Sequence, residues 1–160
     1  MNAIRFKVFR FVINRFGALR RVWILTQGFD VGLEVLTVLT APTVFLSVAR
    51  IKREVGSWPD VKKLRHPLGG TQFNWRGVEL GHIHSNGVAD LRLSPSEQSE
   101  VLSKHLAQRH HTAPKSTWVS YFIERKGRDT AVISLFRIPF HRLTTPESGD
   151  SESPSEEYVQ

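Results

Sequence analysis

One dipeptide constrains this chain more than any other feature: Asn86-Gly87, set between two runs of alternating character. Asn-Gly is a strong short-range signal of a tight antiparallel reversal, because both residues tolerate the left-handed backbone such a turn needs. It makes Val78–His84 and Val88–Leu93 the two strands of a hairpin. Register then decides which side chains share a face, since a one-residue slip moves a strand's whole set to the other side. A two-residue loop places Ala89 opposite His84 and Leu91 opposite His82, among aliphatic residues. A three-residue loop, Ser85-Asn86-Gly87 with Gly87 left-handed, pairs His84 with Val88 and His82 with Asp90. Ile83, Ala89, Leu91 and Leu93 then form one face, and His82, His84, Asp90 and Arg92 the other. Core patterning favours this second register.

The surrounding pattern is that of an α+β fold: N-terminal helices followed by a small antiparallel sheet with helices packed on one face. Pro59 ends a helical stretch, and Pro67, Gly69 and Gly70 mark a loop. Thr71–Trp75 alternates weakly before a turn at Arg76-Gly77. Ser94-Pro95-Ser96-Glu97 opens a helix with a Ser cap, Pro at the first position and Glu three after the cap. Val101, Leu102 and Leu106 would face the core, and Pro114 forbids continuation. Trp118–Ile123 is strand-like and Arg125–Arg128 a turn. Asp129 could cap a last helix through about Arg137, although Val132, Ile133 and Ile138 also suit a strand.

Charge divides the 160 residues into three regions that the overall +7 conceals. Residues 1–65 carry a net +8, residues 66–143 a net +4, and residues 144–160 a net −5 with no Lys or Arg. The organisation expected is a basic, apolar helical segment over 1–56, an α+β domain over 57–143 and a disordered acidic tail over 144–160. The tail is too poor in apolar residues to offset its ordering entropy. The first 29 residues mix Arg5, Lys7, Arg10, Arg15, Arg20 and Arg21 with Phe6, Phe9, Phe11, Phe16 and Trp23, and hold no acid. Such a segment can lie on an anionic membrane surface or dock on its own domain, its arginine stems covering apolar surface. Val31 to Ala49 carries only Glu34 as a charge, and as one helix it would be about 28 Å long. It reads equally as a membrane span or as two buried helices meeting at Thr40–Pro42. This segregation turns the expected partner from nucleic acid toward a membrane surface reached through residues 1–50.

The chain has no cysteine, which excludes thiol nucleophiles, disulfides and iron–sulfur clusters, so reactive chemistry falls to the seven histidines. Two imidazoles and a carboxylate on one sheet face, His82, His84 and Asp90, could bind a first-row metal as a facial triad. They could also act without metal, one His serving as general base with Asp90 holding its tautomer. A hydrogen-bonded pair on a solvated face needs neither. His110 and His111 could add a third imidazole beside Arg109, whereas His66, before Pro67, reads as a loop residue.

Three stretches together, HPLGGTQFNWRGVELGHIHSNGVADLRL (His66–Leu93), VLSKHLAQRHH (Val101–His111) and STWVSYFI (Ser116–Ile123), resemble the luciferase-like domain family. That family holds the fungal luciferases and many bacterial relatives. Its pattern pairs a Gly/Ala-His-x-His strand with a helix ending near Gln-Arg-His and a Trp-bearing strand. The matching positions are Gly81, His82, His84, Gln108, Arg109, His110 and Trp118, and the likeness covers roughly Ser57 to Phe140. His66-Pro67-Leu68-Gly69-Gly70 is more similar to the bacterial members. For the fungal members the family implies oxidation of a hydroxylated pyrone by dioxygen, light emission from a peroxide, and membrane association through an apolar N-terminal segment. Neither flavin nor nucleotide is needed. For this chain the resemblance implies a histidine-lined pocket for an enolisable hydroxylated aromatic or pyrone-type molecule, with dioxygen as co-substrate. His82 or His84 would take the enol proton and Asp90 would orient that imidazole. Arg109 and His110 would stabilise negative charge on oxygen, and Trp75, Trp118 or Phe122 would stack on a flat substrate.

Overall fold

The computed structural model describes residues 31–32, 35–124 and 128–145. The readings made for the basic first 30 residues and for most of the acidic tail lie outside these. Helix α1 (Pro42–Val55) starts with Pro at its first position and presents Val44, Val48, Ile51 and Val55 inward at helical spacing. Six strands follow: β1 (Val61–Arg65), β2 (Thr71–Trp75), β3 (Val78–Ile83), β4 (Val88–Arg92), β5 (Gln108–Arg109) and β6 (Trp118–Phe122). Helix α2 (Pro95–Ser103) lies between β4 and β5, and α3 (Asp129–Thr144) comes last. All strand pairs are antiparallel, in the order β1-β2-β3-β4-β6-β5. The α+β expectation holds.

The hairpin takes the three-residue loop. His82 pairs with Asp90, the His84 N–H donates to the Val88 carbonyl at 2.8 Å, and Gly87 has φ +89°. Gly87 also lies under α1, where a β-carbon would fall 2.6 Å from Val44 Cγ1. One sheet face is therefore apolar. Phe73, Ile83, Ala89, Leu91 and Val119 share a core with α1 and with Val132, Ile133, Leu135 and Phe136 of α3, and Phe73 meets Phe136 edge to face at 5.2 Å. Arg50 of α1 pairs with the buried Asp129 of α3 at 2.9 Å, tying the two helices together.

Three local features differ from the sequence reading. Val61–Arg65, to which the sequence pattern assigns no element, forms a strand whose residues pair one for one with β2 while most of them stay exposed. Helix α2 stops at Ser103 and His105 turns left-handed with φ +53°, so Leu106 leaves the core and is 47% exposed. The last helix forms as read, with the strand alternative not taken, but it runs past Arg137 and through Pro139 to Thr144. Asp129 is not the cap: Arg128 holds that position and Asp129 sits in the first turn, where a carboxylate favours the helix N-terminus.

Residues 35–40 are helical up to a break at Ala41, which accords with two helices meeting near Pro42. Among the described residues no helix is long and apolar enough to cross a membrane. Leu39 and Leu46 are 76% and 62% exposed, and Val35 is exposed beside them.

Candidate functional site

The second sheet face is polar because one rung of the sheet is polar across five strands. Gln72 pairs with His82, His82 with Asp90, Asp90 with Ser120, and Ser120 with Gln108. A β-bulge completes the cluster. Phe73 lies opposite Gly81 and Asn74 opposite Glu79, so Leu80 is an extra residue in β3. The bulge breaks alternation, sends Leu80 into the core and turns Glu79 onto the face of His82. Gly81 makes this approach feasible: its φ is +154°, and a β-carbon would collide with the Asp90 carbonyl oxygen.

Asp90 is the centre of the site and is fully buried. Its Oδ1 accepts a short hydrogen bond from the Ser120 hydroxyl. His110 Nε2 stands 3.7 Å and His111 Nδ1 3.6 Å from the same oxygen. On the other side, His82 Nε2 and His84 Nε2 stand 3.5 and 3.7 Å from Oδ2, which has no hydrogen-bond partner among the described residues. Outside these groups, Glu79 Oε1 lies 2.9 Å from His82 Nδ1, and the half-buried His66 ring stacks on His82 at 3.7 Å.

Donor accounting assigns several tautomers. His110 Nδ1 accepts the backbone N–H groups of Ala113 and Thr112 at 3.0 and 3.3 Å, so its proton sits on Nε2, facing Asp90. The Ser120 hydroxyl spends its one proton on Asp90, so His111 Nδ1, at 3.0 Å, donates to the Ser120 oxygen. The Glu79 carboxylate can only accept, so His82 Nδ1 carries a proton and Nε2 is the atom turned to Asp90.

The imidazoles are electrostatically unlike. Burial pulls His82 down, but the Asp90 and Glu79 carboxylates together outweigh it and hold the group up at about 9. Burial, reinforced by the His82 charge, pushes His84 down to about 3 and His66 to about 4. Burial also lowers His110. Burial alone would raise Asp90, but the surrounding imidazoles hold its carboxyl well below the usual carboxylate range. One charged imidazole thus sits between two carboxylates, with neutral imidazoles around it.

The sequence-derived site residues divide. His82, His84, Asp90 and His110 converge, and Trp118 joins them, its ring 5.3 Å from His82 and 6.1 Å from His110. Phe122 flanks the other end, 6.3 Å from His111. Arg109 is not brought in: it pairs with Val119, whose side chain belongs to the core, so the register assigns it to the opposite face, where it is exposed. Trp75 is also elsewhere, packed against the core with Arg76 over its ring at 4.8 Å. Arg92 shares the histidine face through its pairing with Trp118 but is exposed. His66, Glu79, His111 and Ser120 are the members that strand alternation does not single out. His66 comes from the loop before β2, and the bulge conceals Glu79. Ser120, two residues past Trp118, is legible once β6 is paired with β4.

A small α+β domain with a carboxylate ringed by imidazoles on one sheet face is the class that fold and site define. Residues 77–138 match the family model described as Luciferase domain. The match spans the hairpin, the polar rung from His82 to Gln108 and most of α3. No curated protein and no solved structure matches the chain.

Proposed function

We propose that the histidine face binds an enolisable hydroxylated aromatic or pyrone-type molecule and oxidises it with dioxygen. The observation that carries this reading is the convergence of His82, His84, His110 and His111 on the buried Asp90, with Trp118 alongside, inside the luciferase-like stretch. Trp118 and Phe122 offer flat faces to a planar ligand. A neutral imidazole of this face takes the enol proton. The enolate then gives an electron pair to dioxygen, forming a carbon–oxygen bond, and the terminal peroxide oxygen recovers the proton. Substrate and dioxygen thereby combine into one hydroperoxide, with no other reductant. The His110 Nε2–H and the positive charge at His82 stabilise the oxygen anions along this path.

Oxygen consumption on polyphenol and hydroxypyrone substrates tests the reading. The His82→Ala/His84→Ala double variant should lose turnover while keeping its far-UV circular dichroism. A fully active double variant would refute the assignment, and ligand binding without oxygen uptake would favour a non-catalytic binding module.

A second reading concerns location. The exposed Val35, Leu39 and Leu46, following a basic and aromatic N-terminal sequence, favour a domain held at a membrane surface.

A further inference from the structure

We infer that His82, His84 and Asp90 hold one divalent first-row transition ion, through His82 Nε2, His84 Nε2 and Asp90 Oδ2. The argument starts from an unsatisfied atom. Asp90 Oδ2 is buried and makes no hydrogen bond among the described residues, an arrangement native interiors rarely keep without a reason. The two nitrogens that face it stand at 3.5 and 3.7 Å. A charge-assisted N–H···O bond would close to about 2.8 Å. Two ligands each about 2.1 Å from one ion, at a tetrahedral angle, stand roughly 3.4 Å apart, which is close to what is seen.

The tautomers agree with the distances. Glu79 holds one His82 proton on Nδ1 and so leaves Nε2, whose proton an incoming ion displaces, turned toward Asp90 as the ligand atom, the carboxylate–histidine arrangement that orients metal-bound imidazoles. Ser120 holds Oδ1 and so aims Oδ2 at the pair. The same accounting separates the ligands from their neighbours. His110 keeps its proton on Nε2 and His111 donates Nδ1–H to Ser120, so neither offers a lone pair to Asp90. Oδ1 is already met by the Ser120 hydroxyl, whereas Oδ2 is left for a cation.

Two imidazoles and one carboxylate leave a coordination position free, bordered here by the half-buried His66. The donor set accepts both zinc(II) and iron(II). The inference goes beyond the proposed oxidation and does not depend on it, since ion retention is measured without any substrate.

The full chain, stripped with chelator, is mixed anaerobically with excess iron(II) or zinc(II), desalted, and its metal content determined. A cobalt(II) spectrum reports the ligand number. One ion per chain is expected with at least one of the two metals. His82→Ala, His84→Ala and Asp90→Asn should lose it, while His110→Ala keeps it. Glu79→Gln leaves the ligands in place and should weaken the affinity roughly 10- to 100-fold, which keeps the test decisive if Asp90→Asn fails to fold. No ion retained by the natural chain, two ions per chain, or an unchanged affinity in Glu79→Gln would each overturn the assignment. An ion retained without oxygen uptake would leave it standing and sink the oxidation.

Discussion

At the scale of single residues, Asp90 shows how a buried charge is made tolerable. An isolated carboxylate in the interior costs several kcal/mol, and here Ser120 and the imidazoles meet that cost together. Ser120 is fully buried and gives its only proton to Asp90. Ser120→Ala should therefore lower stability by about 1–3 kcal/mol, the cost of stripping a buried acceptor of its donor. Denaturant unfolding checks this, and an unchanged midpoint would mean that Ser120 is not what satisfies Oδ1. Gly81 is the other decisive residue. In this chain its backbone lies so close to Asp90 and Leu91 that a β-carbon would force a shift.

Among the elements, α2 is the clearest case of local chemistry specifying structure. Ser94 and Glu97 form both bonds of a capping box: the Glu97 N–H donates to Ser94 Oγ at 3.3 Å, and the Ser94 N–H to Glu97 at 2.7 Å. Glu97 is also gripped by Arg142 of α3 at 3.1 Å. Ser94→Ala should cost about 1 kcal/mol by thermal or denaturant unfolding, a typical N-cap loss. No loss would show that the Arg142 contact alone fixes the helix start. The helix matters to the site as well. Gln98 donates to the carbonyls of Ser116 and Trp118 at 2.8 and 3.1 Å, which holds the start of β6 and so Trp118 beside His82.

For the whole molecule, the sheet separates two environments: helices and core on one side, imidazoles and the carboxylate on the other. Apolar exposure is marked at Leu39 and Leu46, on the N-terminal helices rather than on the histidine face. If this side meets a membrane, the full chain should float with vesicles containing anionic lipid more than with purely zwitterionic ones. Added salt should reduce that binding, because the electrostatic part is screened. Equal recovery in the absence of vesicles would remove the membrane reading.

Much of the fold was legible because its signals are local. The Asn86-Gly87 turn, the alternation around it and the Ser94 capping box each specify their own element without help from distant chain. His82, His84 and Asp90 could be placed on one face for the same reason: hairpin register follows from turn geometry and a two-residue period. What only the tertiary structure decided involves distant partners or broken periods. Val61–Arg65 is a strand because β2 offers it a partner, not because its side chains ask for one. Glu79 reaches His82 through a bulge that cancels alternation, and His66 reaches it through a loop. Arg109 sits next to His110 in the chain but falls on the other face, because pairing with Val119 assigns it there. The sequence by itself therefore determined the hairpin and the identity of its polar face. The tertiary structure decided which distant side chains close around Asp90, since that depends on strand order and bulge position, which no local period encodes.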